Sequence, residues 1–303
     1  MKVRSSQLRI GLVGCGRIAE LGYLPAIMGG ADVELVAVAD PDRARRERLA
    51  AMAGDGVAPR ALRGARDLVA AGAEAAIIAS PTSAHVEDAV TMARAGIPCL
   101  IEKPPARDRA GAEELARLEP APWVGFNRRF QQGAELIHEV PRRGPLAIEL
   151  DFRYRRASWR SHVVRDDALL DLGPHPVDLA LLLAGSSSAS VRSAHSGPER
   201  AEIALDAGRA LVRIRCATDR LHAERVVVRK PDGAVVAASR YGGVGSALVG
   251  RVRCRKPPLV DSLRRQLTAF ATAARGGDPG LLATAEEGAR VMRVIDLARE
   301  ACR

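Results

Sequence analysis

Leu8-Arg9-Ile10-Gly11-Leu12-Val13-Gly14-Cys15-Gly16-Arg17-Ile18-Ala19 is the stretch whose reading decides the fold. Leu8, Ile10, Leu12 and Val13 read as a short buried strand, and a helical pattern follows Ala19. Between them Gly14, Gly16 and Ala19 stand at the spacing G-x-G-x-x-G/A. Gly14 permits the tight turn out of the strand, Gly16 lets a pyrophosphate approach the backbone, and Ala19 is small enough for the helix to lie close to the sheet. The helix N-terminus then turns its unpaired N–H groups toward the phosphates. A second strand, 33–39, ends in Asp40, whose carboxylate can accept hydrogen bonds from a ribose diol. Asp40 lies somewhat farther from Gly14 than in the usual fingerprint.

Downstream, strands and helices alternate. A helix with Ala44, Leu49 and Met52 follows Pro41-Asp42, then a short strand near Leu62 and a small helix near 67–71. Residues 75–79 form an unbroken apolar strand, as expected of a parallel sheet covered on both faces. Ser80-Pro81-Thr82-Ser83 ends it, with His85 in the first turn of the next helix. Strand 98–101 runs into Glu102-Lys103-Pro104-Pro105, and a helix over 108–118 and a strand over 123–126 close the series. This alternation predicts a doubly wound parallel sheet, a Rossmann domain over residues 1–121. In such sheets ligands lie beyond the carboxyl ends of the strands, where Gly14, Gly16, Asp40, Ser80, Pro81, Thr82 and Lys103 all fall.

Beyond Pro120 and Pro122 the pattern changes. Strands near 148–155, 191–194, 201–205, 210–216, 225–229 and 234–238 follow in sequence, with Asp206-Ala207-Gly208 and Pro231-Asp232-Gly233 as turns. Residues 122–303 therefore read as an α+β domain with an open, mostly antiparallel sheet. A short helix near 178–184 is stopped by Gly185. Two helices end the chain, the first with the stripe Leu263, Leu267, Phe270 and Ala274.

Composition narrows the function. The 303 residues are 47% hydrophobic and 27% charged, as in a globular protein, and 46 Lys and Arg against 36 Asp and Glu give a net charge of +10. The excess is dispersed arginine, and 3% aromatic residues offer few platforms for stacking bases, which argues against nucleic acid as a partner. The field suits an anionic small molecule such as a phosphorylated or nucleotide-linked sugar. No apolar run is long enough to span a membrane and no signal peptide is evident, so a cytoplasmic location is expected. Five scattered cysteines without a C-x-x-C pair read as reduced thiols, and no metal site is expected.

Two further stretches carry chemistry: Glu102-Lys103-Pro104, and the D-x-G-x-H-x-x-D run of Asp171, Gly173, His175 and Asp178. With the glycine fingerprint, Ala79-Ser80-Pro81-Thr82, His85, Gly125-Phe126-Asn127-Arg128-Arg129-Phe130 and Trp159-Arg160, the chain resembles the glucose–fructose oxidoreductase/inositol dehydrogenase (Gfo/Idh/MocA) family nearly end to end. The resemblance implies hydride transfer between a nicotinamide cofactor and a sugar, cyclitol or related small hydroxy or carbonyl compound. Carried over by position, Lys103, Asp171 and His175 surround the reacting carbon, and Arg128, Trp159 and Arg160 join them at the substrate. Gly14, Gly16, Arg17, Ile18, Asp40, Ser80, Pro81, Thr82, His85, Glu102 and Lys103 fall to the cofactor. Asp40 favours NAD, while Arg43, Arg45 and Arg46 just beyond it keep NADP open.

Local readings compete with these roles. Asp171 could cap a helix that Pro174 and Pro176 open, and His175 could be a satisfied buried histidine. Where many relatives have glycines just before the Asp171 motif, this chain has Arg165-Asp166-Asp167-Ala168, which suggests a tighter, more acidic pocket suited to an amino sugar. The competing functions are imine reduction, glycoside cleavage through transient oxidation, and cofactor sensing without turnover. A sheet with one face uncovered also leads us to expect a homodimer or homotetramer joined through it.

Overall fold

The computed structural model describes residues 7–30, 32–54, 58–159, 166–242 and 258–302. The chain divides into two compact units, Met1–Asn127 with Pro258–Ala285, and Arg128–Pro257 with Glu286–Arg303.

In the first unit, strands β1 (Leu8–Val13), β2 (Val33–Ala39), β3 (Arg60–Leu62), β4 (Ala75–Ile78), β5 (Cys99–Glu102) and β6 (Trp123–Gly125) are parallel. The two-residue Ala283–Thr284 pairs antiparallel with β6 at the sheet edge. The order from that edge is β6-β5-β4-β1-β2-β3, so the winding reverses where β1 lies between β4 and β2. Every residue of β4 and β5 is buried, the signature of a sheet covered on both faces. Asp42 and Asp108 start their helices by accepting from Arg45 N (3.2 Å) and Gly111 N (2.9 Å).

The helix Pro258–Ala274, read above as part of the C-terminal pair, belongs to this first unit. Its stripe of Leu263, Leu267 and Phe270 is wholly buried, with the Phe270 ring edge-on to Trp123 at 5.8 Å. A Cβ at Gly22 would sit 2.6 Å from Leu263 Cδ1, so the glycine sets how closely this helix lies on the one following the glycine loop.

The second unit is built on β7 (Leu146–Arg155), β8 (Ser190–Ser196), β9 (Arg200–Ala207), β10 (Ala210–Ala217), β11 (Asp219–Arg229) and β12 (Val235–Gly242), in the order β12-β11-β7-β10-β9-β8. All pairs are antiparallel except β7 with β10. Strict alternation in β10 sends Val212, Ile214 and Cys216 inward and Leu211, Arg213 and Arg215 outward. The inner face is covered by helices that include Ala168–Leu172 and Pro174–Ala184. The outer face is charged, carrying Glu149, Arg153, Glu202, Arg213, Arg215 and Arg225, all exposed. It is not the apolar patch on which the expectation of association was based.

The helix Pro174–Ala184 starts four residues earlier than its apolar run suggested, because Pro174 stands at its first turn, where a missing N–H costs nothing. Its Asp178 is buried against Arg129, whose Nε and Nη2 both reach the carboxylate, at 2.9 and 2.6 Å; Nη2 also donates to Glu287 Oε1 at 3.0 Å. Removing one partner of a buried pair strands the other charge, which costs about 3–5 kcal/mol. Asp178→Asn is therefore expected to lower the unfolding free energy from urea titration by about 3–5 kcal/mol, and an unchanged midpoint would refute a structural role for the pair.

Candidate active site

Gly14 leaves β1 with φ +90°, and a Cβ there would lie 2.4 Å from Ala79 O and 2.5 Å from Ser80 N. Only glycine brings the ends of β1 and β4 so close. Gly16, by contrast, faces open space, with nothing within 4 Å of where its Cβ would be. A pyrophosphate needs that room, so the loop fits a dinucleotide. The helix beyond opens with a wide π turn over Ala19–Tyr23, where buried Glu20 pairs with Arg17 at 3.4 Å and with Arg48.

Asp40 is 7% exposed and its two carboxylate oxygens accept backbone N–H groups, Oδ2 from Cys15 and Oδ1 from Asp42, both at 2.8 Å. It thus holds the glycine loop to the end of β2. Burial, aided by the Asp40 charge, pushes the Cys15 thiol up to about 12.

Beyond β4, Ser80 Oγ donates to Asp88 Oδ2 at 2.6 Å. His85 is 1% exposed, with Nε2 2.8 Å from Ser80 O and Nδ1 3.0 Å from Pro104 O. Burial pushes its pKa below the ordinary histidine value against the pull of those carbonyls. Beyond β5, Lys103 N–H donates to Glu102 Oε2 at 3.0 Å, and Tyr23 Oη donates to Glu102 Oε1 at 2.6 Å. Burial and the Glu102 charge together hold the Tyr23 phenol far above its usual range. Pro81 and Thr82 form the turn between Ser80 and His85, the Pro81 carbonyl accepting from Ala84 N at 2.8 Å. Arg17 and Ile18 lie between the glycine loop and the π turn.

In the second unit, Asp171 Oδ2 accepts from Arg156 Nη2 at 2.9 Å, from Arg156 Nε at 3.1 Å, and from Tyr154 Oη. Burial first and the Asp171 charge second push the Tyr154 phenol well above its usual range. Asp171 does not cap a helix. Asp167 does, accepting from Leu170 N at 2.8 Å while Arg299 Nε donates to its other oxygen at 3.1 Å. Asp167 is thus a neutralised cap, and it does not support the acidic pocket read from the sequence. His175 is buried in the first turn of the helix Pro174–Ala184. Arg128 Nε donates to the buried Glu224 at 2.9 Å, an ion pair that ties its guanidinium to β11. Trp159 ends the turn after β7, and its side chain and Arg160 lie outside the described residues.

Residues 8–121 match the family model described as oxidoreductase family, NAD-binding Rossmann fold (Gfo/Idh/MocA). Over 97% of its length the chain is 29% identical to the rhizopine catabolism protein MocA of Rhizobium meliloti, covering 95% of that protein. Residues 8–121 are thus similar to the NAD-binding Rossmann domain of the Gfo/Idh/MocA oxidoreductases. The chain is also 30% identical to an inositol 2-dehydrogenase of Rhizobium meliloti over 61% of its own length, a match that spans 57% of the relative. Its fold is that of the scyllo-inositol dehydrogenase of Lactobacillus casei, solved with NAD(H) and scyllo-inositol (TM-score 0.77, 16% identity, covering 97% of this chain and 96% of that one). It is an NAD-binding oxidoreductase.

Among the described residues no group of three or more His, Cys, Asp or Glu could hold a metal ion, and no helix is long and apolar enough to cross a membrane. Tyr154, Arg156, Tyr23 and Glu224 escaped sequence reading because each matters only through a partner distant in the chain. The alternation of β7 gave one signal, since it puts Tyr154 on the face of Leu150 and Phe152, opposite Asp151, Arg153 and Arg155. The thiols provide a check on this geometry. Brief alkylation of native protein at pH 8 is expected to label exposed Cys302 and spare buried Cys15, Cys99 and Cys216 in located peptide masses. Labelling of Cys15 at the rate of Cys302 would contradict the packed loop.

Proposed function

We propose that this chain transfers hydride between NAD and a sugar, cyclitol or related small hydroxy or carbonyl compound, with Lys103, Asp171 and His175 around the reacting carbon. The observation that carries the reading is the placement of Lys103, one of four lysines in the chain, at the carboxyl end of β5, with its backbone braced by Glu102. Relatives named inositol 2-dehydrogenase make cyclitols the first substrates to test.

The nicotinamide, when bound, supplies the hydride acceptor. Oxidising an alcohol also requires loss of the hydroxyl proton, and the chain's own residues handle it. The Lys103 ammonium polarises the substrate oxygen, and His175 takes the proton as the C–H bond breaks and returns it in the reverse direction. Asp171, kept in place by Arg156 and Tyr154, orients the substrate hydroxyl or the imidazole. Gly14, Gly16, Arg17 and Ile18 hold the pyrophosphate, and Asp40, Ser80, Pro81, Thr82 and Glu102 line the ribose and nicotinamide. Arg128, Trp159 and Arg160 border the substrate, Arg128 through its fixed pair with Glu224. The enzyme works in the cytoplasm as a homodimer or homotetramer joined through the β7–β12 sheet, where its charged face makes association salt-sensitive. A single sedimentation boundary with the mass of a monomer at micromolar concentration would exclude that assembly.

NAD is the preferred cofactor, because a 2′-phosphate would meet the Asp40 carboxylate. The neighbouring arginines are partly committed, Arg43 to Glu47 at 2.7 Å, Arg45 to Asp42 at 3.4 Å, and Arg46 to the Asp40 and Pro41 carbonyls at 3.1 and 3.2 Å. We expect kcat/KM to favour NAD and Asp40→Asn to narrow the ratio; a preference for NADP in the unaltered protein would overturn the assignment. For the chemistry, screening begins with myo-inositol and NAD. Lys103→Ala and His175→Ala should each lower kcat by about 10²–10⁴-fold while cofactor Kd changes little. Near-normal turnover in folded, cofactor-saturated Lys103→Ala would defeat the mechanism.

A further inference from the structure

His85 is buried inside the first unit, and both of its ring nitrogens face backbone carbonyls rather than open space. The two carbonyls belong to different loops. Ser80 follows β4 and Pro104 follows β5, and these strands are neighbours paired through Ile77 with Leu100 and Ile78 with Ile101. The ring therefore spans the two carboxyl-end loops at the point where they leave the sheet. One loop carries Ser80, Pro81 and Thr82, and the other carries Lys103.

Both ring nitrogens are buried against backbone carbonyls, so the neutral ring donates to one of them and packs against the other, and neither nitrogen is turned toward a cofactor hydroxyl. Its effect must pass through what it holds. The residue it holds is next to Lys103, whose own N–H is tied on the other side to Glu102, itself bonded by Tyr23. The main chain at Lys103 is thus fixed from before by a buried carboxylate and from after by a buried imidazole. A lysine side chain has four rotatable bonds, so its ammonium is placed reproducibly only if its root does not move. Misplacing a polarising group by about 1 Å can cost roughly 10²-fold in rate.

We propose that His85 is a positioning residue for Lys103, clasping the turn after β5 to the loop after β4 and so fixing the root from which the lysine reaches the substrate oxygen. This rests on the reading of Lys103 as the group that polarises that oxygen, and it replaces the direct cofactor contact that the family resemblance implies for His85.

A double-mutant cycle tests it. Single-turnover hydride transfer to NAD from myo-inositol, at high enzyme concentration so that slow variants are measurable, is compared in the unaltered protein, His85→Phe, Lys103→Ala and the double variant. Cofactor Kd is followed by nicotinamide fluorescence. Phenylalanine fills the space but donates no hydrogen bond. The expected result is a loss of about 10–10²-fold in His85→Phe at nearly constant Kd, which shrinks to less than about 3-fold when Lys103 is already alanine, since the clasp then has nothing to position. His85→Gln, which keeps N–H donors, should regain part of the rate. An equal fold-loss in both backgrounds, or a loss expressed in cofactor Kd, overturns the proposal while leaving the Lys103 mechanism standing. Unimpaired turnover in Lys103→Ala overturns both. Should His85→Phe not fold, His85→Asn takes its place in the cycle under the same criterion. Independently of any substrate, amide exchange in peptides over residues 99–106 should accelerate in the His85 variant, and unaltered protection there also overturns the clasp.

Discussion

The close approach of two parallel strands at Gly14 is the constraint on which the first unit depends. Any side chain at that position would strike the carbonyl of Ala79 and the nitrogen of Ser80. Because there is none, β1 and β4 meet at the point where the sheet reverses its winding, and the glycine loop, the Ser80 loop and the end of β2 converge there. The Asp40 carboxylate then accepts from the Cys15 and Asp42 N–H groups, so the residue we assign to the ribose also holds the glycine loop. The open space at Gly16 is what remains once this packing is complete. A crevice at a switch point is where doubly wound sheets bind their ligands, and here its walls are set by the absence of one Cβ.

In the second unit, buried charge is repeatedly paired rather than exposed. Arg129 with Asp178, Arg128 with Glu224, and Arg156 with Asp171 each bring an arginine planar fork to a carboxylate. The fork fixes orientation as well as charge, which suits carboxylates that must hold one geometry. Other arginines, Arg153, Arg213, Arg215 and Arg225 among them, lie exposed on the outer face of the second sheet.

The fold was legible because its signals are local: the glycine spacing, the unbroken apolar β4, the alternation in β10, and the turn at Asp206-Ala207-Gly208. The helix Pro258–Ala274 was placed correctly as a helix, but its allegiance was not, because an apolar stripe states that a face is buried and not against what. Asp167 misled for a related reason. As sequence it is an acid near the proposed substrate, whereas its oxygens are taken by the Leu170 N–H three residues on and by Arg299, 132 residues away. Tyr154 and Arg156, which hold Asp171, carry no motif at all. Motifs marked Lys103, Asp171 and His175, but the groups that restrain them are visible only in three dimensions.

The central claim is hydride transfer between a nicotinamide and a cyclitol or sugar carbon. The most direct measurement is the fate of a label: the enzyme is incubated with NADH carrying deuterium at the transferable position of the nicotinamide and with the ketone of myo-inositol, and the alcohol formed is examined by mass spectrometry. The account predicts one deuterium on the newly formed carbinol carbon, matched by stoichiometric loss from the cofactor. Alcohol formed without deuterium from either face of the labelled ring, or NADH left unconsumed across the cyclitols and sugars tested, would contradict it.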